Sequence, residues 1–365
     1  MAIPRDIELA FLANAPVVWE GLPGIGKTKS LEALFHERKV VSYTLALANR
    51  EPSDIGGLPM PADDGETFIL RAAHFAKLLV DAGKAGHRTA LFMDEGNQAP
   101  PAVQSSAMRV VDEGVVGDIR LPEDCWRVMA VNPTDVATNG FDLAPALANR
   151  LVHLKFELDK DSWLMNFPSY WGNPPVKKLI PENKWMPQRG NVAAFLYTRK
   201  TKILDFPKEA QFQCGPWPSP RSWEKVSQLL AVANSPEDAS GAIGGAVGQG
   251  LAIEFVSFMR NLDLPDPEKI LADPSSFKMD KYKGRGDQVF AILSNLHATI
   301  TSKLDEKRYN AFWEVLGKVA EAGVMDIGAA WARSSSKMYQ TGWKVPAAVN
   351  KYSKILQEIG IQNGR

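Results

Sequence analysis

An α/β class is predicted, with a parallel sheet flanked by helices at the amino end and helices alone thereafter. Three observations predict it. Short apolar segments recur, each ending in polar residues: Ala15 to Trp19, Thr89 to Met93 and Trp126 to Val131. A glycine-rich turn, Gly21 to Gly26, stands between the first of these and a helix-like run, Lys29 to Glu37. Beyond residue 158 the pattern changes to helical periodicity, broken by a Pro/Trp-rich stretch. A chain of 365 residues holds more than one domain. The expected division is 1–158 as the α/β core, 159–270 as a helical lid and 271–365 as a helical extension.

The turn Gly21-Leu22-Pro23-Gly24-Ile25-Gly26-Lys27-Thr28 is a phosphate loop by composition and by context, strand before and helix after. Glycines let backbone N–H groups face a phosphate chain, and the helix adds its positive end. Gly21, Pro23, Gly24, Ile25, Gly26, Lys27, Thr28 and Lys29 are therefore the candidate nucleotide-binding residues. Lys27 would reach the β- and γ-phosphates of ATP, and the Thr28 hydroxyl would ligate Mg²⁺. The second apolar run ends in Asp94-Glu95. At the carboxyl end of a parallel strand, Asp94 would hold the Mg²⁺ and Glu95 would activate the attacking water. The third run ends in Asn132-Pro133, and Asn132 would contact the γ-phosphate or orient that water; capping a turn before the proline is its other reading.

With these residues in view, the sequence resembles the MoxR-like group of AAA+ ATPases over residues 1–270. The likeness is carried by the phosphate loop, by Asp94-Glu95 and the following Gly-Asn-Gln-Ala, and by Gln104 to Glu113. It continues through Asn132-Pro133, Ala146-Leu-Ala-Asn-Arg150 and Ser219-Pro-Arg221-Ser-Trp223. The resemblance implies a homo-oligomeric ring, commonly a hexamer, with nucleotide between subunits. It implies Asn132 as first sensor, Arg150 as the arginine finger given to the neighbour, and Arg221 as second sensor on the lid. This chain has Asn149-Arg150-Leu151 where the group usually has Asp-Arg-Phe, which keeps Arg109 and Arg120 open as alternative fingers. A protein client is implied too, and von Willebrand A-domain proteins are the kind such ATPases often accompany.

The turn-rich segment Arg50 to Phe68 reads equally as a client-gripping hairpin, through Leu58, Met60 and Phe68, or as a plain surface loop. A second hairpin is expected at Gly114 to Arg120, after a helix over Pro101 to Glu113. The stretch Asn166 to Gln188, with Trp171 and Trp185, reads as an ordered insertion. Arg221 opens a helix over Ser222 to Asn234 with Ser219 as its cap, and amphipathic patterns follow at Asp287 to Thr301, Lys307 to Ala322 and Val345 to Glu358.

Composition narrows the function. Net charge is zero, with 14 Lys and Arg against 20 Asp and Glu in residues 1–150 and 28 against 22 in the rest. Dedicated nucleic-acid binders usually carry a cationic excess, so a nucleic-acid motor or loader is disfavoured. Two cysteines without ligand-like spacing, isolated histidines, no basic leader and no long apolar run predict a soluble, cytoplasmic protein with no metal site besides nucleotide-bound Mg²⁺. The leading expectation is an ATP-hydrolysing ring that remodels a protein partner. A slow nucleotide-dependent binding switch is the remaining alternative.

Overall fold

The computed structural model describes residues 5–134, 136, 140–168 and 180–362. Trp171, with residues 169–179 of the expected insertion, lies outside the described residues. The chain divides between Leu158 and Asp159 into two compact units.

The first unit runs α1 (Arg5–Leu12), β1 (Val17–Glu20), α2 (Lys27–Glu37), β2 (Val41–Ala46), α3 (Pro52–Gly56), β3 (Leu58–Pro61), β4 (Phe68–Arg71), α4 (His74–Lys84), β5 (Thr89–Asp94), α5 (Pro101–Glu113), β6 (Val115–Val116), β7 (Ile119–Arg120), β8 (Trp126–Val131), α6 (Pro145–Ala148) and β9 (Val152–Lys155). Its five-stranded sheet has the order β2-β5-β8-β1-β9, parallel throughout, with Phe92 opposite Val128 and Val18 opposite Met129. This is the α/β class, a parallel sheet flanked by helices, that the sequence predicts.

The three inner strands bury both faces, which is why they read as unbroken apolar runs. One face packs Val18, Leu91, Met93 and Met129 against Val103, Ala107 and Val110 of α5. On the other side Phe11 stacks on Trp126 at 4.3 Å and Trp19 meets Phe156 edge-on at 4.6 Å. Burying one such ring is worth about 1.5–3 kcal/mol. Strand polarity then delivers the polar residues that follow β1, β5 and β8 to one edge of the sheet.

Two small antiparallel hairpins, β3–β4 and β6–β7, lie outside that sheet. Asp118 ties them together: its carboxylate accepts from the Leu70 N–H at 2.6 Å, and its own N–H donates to the Leu70 carbonyl at 3.0 Å.

The second unit contains α7 (Lys160–Asn166), α8 (Glu182–Tyr197), α9 (Ala210–Gln213), α10 (Pro220–Val232), α11 (Ser240–Val247), α12 (Gln249–Arg260), α13 (Pro267–Ala272), α14 (Gly286–Ser302), α15 (Glu306–Glu321), α16 (Met325–Ser336) and α17 (Ser353–Gln362). Residues 159–270 and 271–365 belong to this one unit. α8 and α14 approach closely, because a Cβ on Gly190 would stand 1.7 Å from Ser294 Oγ. Ser219 caps α10 by accepting from Ser222 N–H, and Pro220 takes the first helical turn, where its missing donor costs nothing. The helix therefore starts before Arg221 rather than after it. The pattern over Val345 to Glu358 resolves into a 3₁₀ stretch, Ala347–Tyr352, followed by α17. α16 is an addition to the expected helices; it buries Ile327 and Trp331 together with Gly328, Ala329, Ala330 and Ala332.

Candidate functional site

The site is built where β1, β5 and β8 end. After β1 the chain turns through Gly24 and Gly26, both at positive φ, and enters α2 at Lys27. At φ 101° Gly26 occupies backbone space that L side chains rarely adopt, and a Cβ there would meet no atom within 4 Å, so the loop is open on that side. No side chain caps α2 at Gly26, which leaves its amino end facing outward with its partial positive charge. Gly21 is the loop's tight point, held by its N–H to the Val131 carbonyl at 3.1 Å, and Ile25 is buried. Pro23 is half-buried, and Lys29 points outward to pair with Glu32 at 2.6 Å.

Lys27 folds back over the loop. Its Nζ donates to the carbonyls of Gly21 at 2.5 Å and Leu22 at 3.0 Å, and to Asn132 Oδ1 at 3.0 Å. Thr28 Oγ1 donates to Asp94 Oδ2 at 2.8 Å. Four of the sequence-predicted residues, Lys27, Thr28, Asp94 and Asn132, are thus joined in two direct contacts. Glu95 follows Asp94 in the left-handed region, at φ 59° and ψ 38°, and is exposed. That conformation costs a non-glycine residue on the order of 1 kcal/mol or more and bends the chain away from the strand as soon as Asp94 is delivered.

The donor set suits a hard divalent cation. Thr28 and Asp94 present a hydroxyl and a carboxylate within hydrogen-bond distance of each other, and Mg²⁺ takes one or two such protein oxygens beside phosphate oxygens and water. Among the described residues no cluster of three or more His, Cys, Asp or Glu offers an all-protein metal cage.

Arg150 follows α6 and is engaged within its own chain. Its Nε donates to Asp112 Oδ2 at 2.8 Å and its Nη1 to the Ala146 carbonyl at 2.8 Å. Arg109 and Arg120, the alternative fingers, hold the second hairpin instead: Arg109 Nη1 donates to the Gly117 carbonyl and Arg120 Nη1 to the Glu113 carbonyl. Arg221 belongs to the helical unit, exposed on the first turn of α10.

Two further residues enter the site that sequence reasoning gives no role. Asn97 and Gln104 are 2% and 1% exposed, and their amides bond to the backbone around Asn132 and ahead of α6. Both lie in stretches that carry the family resemblance, but a side-chain amide next to a turn is ordinarily solvated, so the sequence gives neither a bonding partner.

No protein-family model matches the chain, and no curated protein matches it. Solved structures do match. A proposed ATPase from Cytophaga hutchinsonii shares 17% identity over 72% of this chain and 89% of its own, with a TM-score of 0.34. NtrX from Brucella abortus shares 16% over 91% and 66%, at 0.37. The Holliday junction branch migration motor RuvB of Thermotoga maritima shares 14% over 82% of each chain, at 0.35. At these values the likeness says nothing of substrate or partner; the sheet order and the phosphate loop carry the fold assignment by themselves.

Proposed function

We propose that the chain is a MoxR-like AAA+ ATPase, which hydrolyses ATP to ADP and phosphate between subunits of a homo-oligomeric ring, six by resemblance, and uses the energy to remodel a protein partner. One observation carries the reading: Lys27 and Thr28 of the loop contact Asn132 and Asp94 from two other strand ends, beside an uncapped helix terminus. That is a phosphate-binding surface with a cation-binding edge.

In this account the Lys27 ammonium exchanges the Gly21 and Leu22 carbonyls for β- and γ-phosphate oxygens. Thr28 and Asp94 would hold Mg²⁺, which when bound would neutralise charge on those oxygens. Asn132 orients the attacking water and Glu95 accepts its proton as the water oxygen bonds to the γ-phosphorus and the bond to the ADP oxygen breaks. Arg150 of the neighbouring subunit offsets the charge spread over the transferring group, and Arg221 acts as second sensor from the helical lid. The β3–β4 hairpin supports the remodelling role: Phe68 beside its turn and Leu58 at the other end of the ladder are 74% and 53% exposed, two apolar side chains open to solvent. A client of the von Willebrand A-domain class follows from the resemblance alone. No described helix is long and apolar enough to cross a membrane.

Steady-state hydrolysis and nucleotide binding test the site. Wild type should turn over ATP in a Mg²⁺-dependent way, Lys27→Ala should lose ATP affinity, and Glu95→Gln should bind ATP yet hydrolyse it about 100-fold or more slowly. A wild-type chain that neither binds nor hydrolyses ATP contradicts the proposal. The slow switch stays as the second reading because Arg150 is paired with Asp112 of its own chain; a turnover that no Arg150 substitution alters would favour it.

A further inference from the structure

We infer that Asn97 and Gln104 are positioning residues of the nucleotide site, two buried amides that hold Asn132 and the Arg150-bearing segment to one rigid frame, the turn after β5 together with α5. The inference rests on the ATPase reading above and extends it to residues that the phosphate-loop pattern does not reach.

Asn97 uses both ends of its amide on one residue. Its Nδ2 donates to the Asn132 carbonyl at 2.7 Å, and its Oδ1 accepts from the Asn132 N–H at 3.2 Å. The main chain of Asn132 is therefore gripped from one side, while its side-chain Oδ1 accepts from Lys27 on the other. The Asn97 carbonyl also accepts from the Phe141 N–H at 2.7 Å. Gln104, one turn into α5, repeats the device on the segment that leads to Arg150. Its Oε1 accepts from the Ala144 N–H at 2.9 Å, the residue before α6, and its Nε2 donates to the Ala99 carbonyl at 3.1 Å, with a longer contact to the Asp142 carbonyl at 3.4 Å. At its far end the same helix supplies Asp112 to Arg150 Nε. So α5 takes hold of the 142–150 segment at two points, while the turn before it holds Asn132. With both amides buried and bonded at both ends, removing one strands main-chain donors and acceptors away from water, a larger penalty than losing a solvated contact.

A residue needed in its own subunit and a residue offered to a neighbour thus share one frame. Displacing either amide should misplace one of them without touching the phosphate loop. Small misplacements of catalytic groups cost rate far more than affinity.

Two measurements separate this from a merely structural role. For Asn97→Ala, ATP affinity should stay within about twofold of wild type while kcat falls at least tenfold. Unchanged kcat overturns the Asn97 assignment, as does a loss confined to KM. For Gln104, wild-type subunits are mixed with excess Glu95→Gln subunits, which bind ATP without turnover and still offer Arg150. Adding Arg150→Ala to those donors should suppress hydrolysis by the wild-type sites, and adding Gln104→Leu should suppress it at least tenfold as well. Gln104→Glu, which keeps an acceptor for the Ala144 N–H, should suppress it less and serves where the leucine variant does not fold. If the Arg150→Ala donors suppress and neither Gln104 donor does, the Gln104 assignment is wrong and the ring reading stands. If the Arg150→Ala donors do not suppress, the ring reading itself fails and the Gln104 assignment goes with it, while the Asn97 result still decides its own half.

Discussion

In the α/β unit three buried polar side chains meet at the ends of strands, whereas in the helical unit two of the largest are set among aromatic rings. Lys27, Asn97 and Gln104 are buried in the first unit, and each bonds to backbone or side chain at the sheet edge where β5 and β8 finish. Arg189 is buried in the second, its guanidinium 3.9 Å from the centre of the Phe167 ring and bonded to the Phe167 carbonyl and Glu224. His297 packs against Phe312 and Trp331. Buried polar groups gather at the candidate site in one unit and pack against rings in the other. What separates them is exposure to an open face: a parallel sheet leaves its strand ends uncovered, and a helix bundle covers everything in its core. Substitutions in the two units should therefore fail in different ways.

The largest effect is expected in the helical core. Trp331 is fully buried against Phe290 and His297, and Trp331→Ala should cost about 3–5 kcal/mol in denaturant unfolding. A cost below about 1 kcal/mol would remove that core from the account.

Next comes a pH effect confined to the same unit. Burial pushes the His297 imidazole down to about 4 from an ordinary 6.5. Between these values the unfolded chain takes up a proton that the folded chain refuses. The contribution is whole above pH 6.5, declines as pH falls toward 4 and levels off below, on the order of 3 kcal/mol in all. Unfolding free energy measured across that window should show this slope in wild type and lose it in His297→Phe.

At the sheet edge the loss should appear in rate instead. Glu95→Gln should slow hydrolysis about 100-fold, near 3 kcal/mol of barrier, with thermal unfolding unchanged because Glu95 is exposed. A variant that melts early would blur the contrast between the units.

Gly190→Ala is smaller and structural. The added methyl would collide with Ser294 on α14, and the strain, about 1–3 kcal/mol, should exceed the gain in helix propensity of about 1 kcal/mol. Smallest is Asp112→Asn: its pair with Arg150 is solvent-exposed, and unfolding should shift by less than about 1 kcal/mol.

Much of the first unit could be read from the sequence because its signals are local. Gly21 to Thr28 carries loop, helix start and lysine within eight positions, and the runs ending in Asp94 and Asn132 announce strands buried on both faces. The joining of Thr28 to Asp94 and of Lys27 to Asn132 is the consequence of parallel order, which the alternation of strand and helix already implies. Asn97 and Gln104 were hidden because an amide gains its meaning only from what the fold sets beside it, here a backbone 35 to 40 residues away. The helical unit was harder for a related reason. Pro187 sits inside α8 and the apolar residues of α8 run round the helix, so it offers no amphipathic face to read.

The most direct test of the central claim is ATP hydrolysis per subunit as a function of protein concentration, for wild type alone and mixed with Arg150→Ala subunits. A rate that climbs cooperatively with concentration and is poisoned by the variant is the predicted result. A rate per subunit that depends on neither would contradict hydrolysis between subunits and leave a self-contained nucleotide switch.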